Sequence, residues 1–84
     1  MVQHRHMEKY NLTVTIWKEE SAFVSKCPEL GVASCGDTPG EALENLKEAV
    51  DLYVENAKKL GMMEDIYAAI TSHHKFTSNI EVSV

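Results

Sequence analysis

The longest regular pattern in the chain runs over residues 36–61, GDTPGEALENLKEAVDLYVENAKKLG. At about 100° per residue, Ala42, Leu43, Leu46, Ala49, Val50, Tyr53, Val54, Ala57 and Leu60 share one face. Glu41, Glu44, Glu48, Asp51 and Glu55 fall on the opposite face at successive spacings of 3, 4, 3 and 4, so the acids form a stripe. Both ends carry stop signals. Thr38 suits the N-cap, Pro39 the first helical position, and Glu41 completes a T-x-x-E capping box. Gly61 supplies a left-handed stop, with Lys58 and Lys59 beside the negative end of the dipole. One long amphipathic helix is predicted.

A different period precedes it. In Tyr10–Lys18, Leu12, Val14 and Ile16 alternate with Asn11, Thr13 and Thr15, which predicts a first strand with its aliphatic side toward the helix and Trp17 on the threonine side. Glu19, Glu20 and Ser21 make a polar turn, and Ala22–Cys27 the second strand of a hairpin. Pro28 cannot donate to a ladder, so 28–31 is a break before a short third strand, Val32–Cys35. After Gly61, residues 62–70 predict about two turns of poorly capped helix. Residues 71–75 are a polar connector. In 78–84, Ile80, Val82 and Val84 alternate with Asn79, Glu81 and Ser83, a final strand.

The order β-β-β-α-(α)-β predicts an α+β fold, a two-layer sandwich of one long helix on one face of a sheet. A right-handed crossover would return the last strand beside the first, giving a mixed four-stranded sheet of order 3-2-1-4 with two exposed edges. The 84 residues make one domain, 10–84, after a polar tail at 1–9. A core this small favours an oligomer, a dimer or a larger even number.

The net charge of -5, with no lysine or arginine cluster, argues against direct nucleic-acid binding and fits a basic protein partner. Two cysteines are no secreted disulfide framework, there is no membrane-length apolar run, and residues 1–9 are too polar for a signal peptide. The expected compartment is the cytoplasm, with reduced thiols.

The C-P-E-L run from Cys27, G-D-T at 36–38 and E-A-L-E-N-L-K-E-A-V from Glu41 together resemble the HicB-like antitoxin domain over roughly Tyr10 to Leu60. The turn combined with the capping box carries the resemblance; the helix alone is a generic pattern. The resemblance implies a partial ribonuclease H-like fold and a non-enzymatic role, binding and blocking a HicA-type toxin, a small basic ribonuclease that cleaves messenger RNA. The sequence departs from the family pattern in two places. The usual proline-glycine before the third strand is reduced to Gly31, and the 23 residues after Gly61 hold no basic recognition helix for operator binding.

Other candidate chemistry is sparse. Two-metal hydrolysis, the rival reading on a ribonuclease H-like scaffold, needs carboxylates converging on strand ends. The first strand has none as predicted, and Asp37 is explained by its turn. His4 and His6 form an H-x-H pair on the tail, and His73 and His74 are adjacent in one loop; neither pair has a completing ligand nearby in sequence. Cys27 and Cys35 flank one hairpin turn and are expected as free thiols. No catalytic residue, metal or cofactor is expected. The candidate partner surface is Glu41, Glu44, Glu48, Asp51, Leu52 and Glu55, with Leu52 beside the stripe either as an interface anchor or as a cover for the second helix. The stripe holds like charges at i,i+4, Glu44 with Glu48 and Asp51 with Glu55, which a helix selected for stability alone would avoid. Simple solvation of the domain is the bland reading of the stripe. An orphan oligomeric domain without a toxin is the third reading of the chain.

Overall fold

A computed structural model describes residues 11–71 and 78–83. Strand β1 (Thr15–Glu19) pairs antiparallel with β2 (Ala22–Cys27), which pairs antiparallel with β3 (Val32–Gly36). Helix α1 (Pro39–Lys59) follows directly, then α2 (Met63–Ile70). The fold is α+β: a small three-stranded antiparallel sheet of order β1-β2-β3 with one long and one short helix.

The expected four-stranded sheet of order 3-2-1-4, and the mixed sandwich with it, are therefore corrected. Residues 78–83 are not in a strand, and Ile80 is 86% exposed and Val82 65%. Alternation gives a segment a strand-competent face but not an address. No tight turn fixes its register, and a long crossover must be ordered for the sake of two or three aliphatic side chains. The tail at 1–9, Tyr10, most of the polar connector and Val84 lie outside the described residues.

β1 begins at Thr15, five residues later than the alternation predicts. The register pairs Thr15 with Lys26, and extending it by two residues sets Thr13 opposite Pro28, which has no N–H. The Glu29 carboxylate takes over there. It accepts from the Thr13 N–H at 3.0 and 3.1 Å and from the Thr13 hydroxyl at 2.8 Å. The β1–β2 hairpin turns through Glu20 and Ser21, with Glu20 in the left-handed region at φ 53°. The β2–β3 loop spans 28–31, where Gly31 at φ 69° donates its N–H to the Cys27 carbonyl.

The helix termini follow their sequence signals. The Thr38 hydroxyl accepts from the Glu41 N–H at 3.0 Å, while the Glu41 carboxylate reaches one residue past the usual capping-box target, to the Asp37 N–H at 3.3 Å. At the other end Gly61, φ 69°, donates to Lys58 and Met62 to Ala57, a Schellman closure. No side chain caps the N-terminus of α2, while at its C-terminus the Thr71 hydroxyl donates to the Tyr67 carbonyl.

Cross-strand partners share a face, so Ile16, Ser25 and Ser34 form one row on the helix side, and Trp17, Val24 and Cys35 form one row on the other. α1 lies mainly over β3 and β2 and scarcely reaches β1. Its approach is close because the contact residues are small. Ala42 is fully buried, and Gly36 leaves no space for a Cβ, which would lie 2.6 Å from the Ala42 nitrogen. The buried apolar side chains are Cys27, Ala42, Leu46, Ala57 and Ile66. The predicted apolar face of α1 is thus buried only in part: Ala42, Leu46 and Ala57 are buried, Ala49, Val50 and Val54 are half-buried, and Leu43, Tyr53 and Leu60 remain exposed.

Candidate functional site: an acidic helix face beside an apolar groove

Because α1 is seated on β3 and β2, its acidic face points away from the sheet. Glu41, Glu44, Glu48, Asp51, Leu52 and Glu55 are all exposed, Leu52 at 59%. Leu52 is thus no cover for α2. Glu41 differs from the others, since its carboxylate is engaged in the helix cap. Glu55 lies 3.9 Å from Lys59 in an exposed i,i+4 pair, a geometry that contributes little. Among the described residues, Glu44, Glu48 and Asp51 have no such cation partner. Their mutual repulsion along one helix face is therefore offset by solvent, by salt and by the nearby charge of Lys47, three residues from Glu44 and four from Asp51, rather than by a close ion pair.

The structure adds what the sequence pattern missed. A groove of about 300 Å³ runs between α1 and the β1 side of the sheet. Leu12, Val14, Leu43, Leu46 and Val50 supply its apolar walls, and Glu44, Lys47 and Asp51 its rim. Two stripe carboxylates therefore border an apolar surface. The only sequence hint was that Leu43 and Val50 stand at the margin between the two helix faces.

The two thiols behave oppositely. Cys27 is buried on the helix side, and Cys35 is exposed on the open sheet face, so both are free and they are not neighbours across the hairpin. Burial pushes the Cys27 thiol above its ordinary value, and the Glu29 carboxylate, 3.6 Å from the sulfur, pushes it further. The N–H groups of Leu30 and Glu29 act in the other direction and do not prevail.

No group of three or more His, Cys, Asp or Glu among the described residues is placed to hold a metal ion. The predicted first strand had no carboxylate, whereas observed β1 ends on one, the exposed Glu19. Asp37 sits in the turn before α1, as its residue type suggested. His4, His6, His73 and His74 lie outside the described residues. Among the described residues no helix is long and apolar enough to cross a membrane.

A sheet-on-helix domain with an exposed acidic helix face defines a class only loosely, and comparison with known proteins narrows it. The model of a family of unknown function, DUF7387, matches residues 3–72, and the chain belongs to that family. The UPF0150 protein ssr1765 of Synechocystis sp. (strain ATCC 27184 / PCC 6803 / Kazusa) is 45% identical over 49 residues. That match covers 56% of this chain and 62% of the relative. No solved structure matches the chain.

Proposed function

We propose that this domain is a non-enzymatic binding module of the cytoplasm that docks on a small basic toxin ribonuclease of the HicA type and blocks it, as the HicB-like resemblance implies. The observation that carries the reading is the placement of Glu44, Glu48 and Asp51. They stand side by side on the solvent face of a rigidly capped helix without a cation partner among the described residues. Such a row raises the local concentration of a basic partner and orients its approach. Leu52 then offers exposed apolar surface beside the charges.

The test is the rate of association with a HicA-type toxin, made catalytically inactive, as a function of salt. Wild-type association should slow steeply with added salt. Glu44→Lys, Glu48→Lys and Asp51→Lys combined should slow it at low salt and flatten the salt slope, with an unchanged circular-dichroism spectrum. Leu46→Asp is the unfolding control, because it places a charge in the core. Equal rates and slopes for wild type and the triple variant would reduce the stripe to a solvated surface.

A further inference from the structure

The two edges of the sheet are not alike. β3 is held beneath α1, and the Asn45 amide donates to the Cys35 carbonyl at 2.8 Å. β1 is the other edge, and it is only lightly protected: Lys18 and Glu19 stand at one end, but it has no proline, no bulge in its register, and little cover from α1. Its helix-side residue Ile16 is 38% exposed, and Val14, just before the strand and lining the apolar groove, is 39% exposed. Elsewhere in the same chain, residues 78–83 carry strand alternation and stand exposed with no strand partner.

We infer that residues 78–83 of a second copy of this chain add to the free edge of β1, laying Ile80 and Val82 over the groove between β1 and α1. The segment has six residues against five in β1, so the lengths match. Successive strand side chains point to opposite faces. With Ile80 and Val82 turned toward α1, they cover Val14, Ile16 and Leu43. Asn79, Glu81 and Ser83 then fall on the side of Thr15 and Trp17, where the sheet is open. The occupant is a second copy because within one chain the segment is exposed and makes no strand pairing with β1. The few side chains fully buried in one copy also leave the domain short of core, and reciprocal exchange adds core to both. A mutual exchange closes as a two-fold pair, consistent with the even oligomer that the small core and exposed edges predict.

Sedimentation of the intact chain at high micromolar concentration should give about twice 9.4 kDa. Ile80→Lys with Val82→Lys should give a monomer with an unchanged circular-dichroism spectrum, since both positions are exposed in the single copy. Cross-linking then identifies the contact. Two chains, both carrying Cys35→Ser, are mixed: one also bears Val14→Cys, the other Ile80→Cys or, in a parallel sample, Val82→Cys. Oxidation should join the two different chains. A monomeric wild type would overturn the inference. So would a dimer indifferent to the lysine substitutions, a dimer that yields neither cross-link, or preferential closure within one chain when Val14→Cys and Ile80→Cys are combined. None of these measurements involves a toxin, so failure here leaves the proposed function standing and the reverse also holds.

Discussion

The hydroxyl of Ser25, with no solvent exposure, donates to the backbone carbonyl of Ala42 at 2.8 Å. This bond joins the middle strand to the first turns of α1. Ala42 retains its helical bond to the amide four residues on, so Ser25→Ala leaves the carbonyl satisfied. The expected loss is about 1 kcal/mol in urea unfolding. Ser25→Val should cost more, about 1–3 kcal/mol, because it adds volume where none is free.

Gly36→Ala should be destabilising by about 2 kcal/mol on the same assay. A Cβ there would lie 2.6 Å from the Ala42 nitrogen and 2.8 Å from the Glu41 carbonyl carbon, both backbone atoms that cannot swing aside. The effect is steric and local, so Gly40→Ala, where a Cβ meets nothing within 4 Å, is the matched control.

Glu20 occupies the left-handed region in the β1–β2 turn without being glycine. Asparagine tolerates that conformation better than glutamate. Glu20→Asn should raise stability by roughly 0.5–1 kcal/mol, read as a shift of the urea midpoint with unchanged slope.

The cysteines should separate cleanly by reagent and by pH. At neutral pH a thiol reagent should label Cys35 rapidly in the native protein and Cys27 only under unfolding conditions. The folded Cys27 thiol holds its proton above the ordinary value of 9.0, so at high pH the unfolded chain loses that proton first. The stability it contributes is full below that value and is lost as pH rises through the raised folded value. Cys27→Ser should remove this part of the alkaline decline, measured as unfolding midpoints across the alkaline range.

Helix α1 and strand β2 were legible in the sequence because their signals are local. Thr38, Pro39, Glu41 and Gly61 act within a turn of where they stand, and β2 is bounded by its own turns. The start of β1 was not, because its ladder ends on account of Pro28, and the substitute partner is Glu29, sixteen residues along the chain from Thr13. The final strand misled for a related reason: alternation at Ile80 and Val82 is real, but no local feature names a neighbour for it. The acidic stripe could be read from helical spacing alone. The groove next to it could not, because it arises from where α1 rests on the sheet, which Gly36, Ser25 and Ala42 decide together through their small size.

That seating also sets the order in which the molecule opens. Where backbone rides on backbone at Gly36 and Ala42, β3 cannot lift without unlocking the first turns of α1, so the two should exchange amide hydrogens as one cooperative unit. Leu46 and Ser25, buried at its centre, should be among the last amides to exchange. α2, short, without a side-chain cap at its N-terminus and joined to the rest chiefly through α1, should fray well before them. A protein fastened most closely at the start of its long helix in this way can let α2 come away while α1 keeps its acidic face in place.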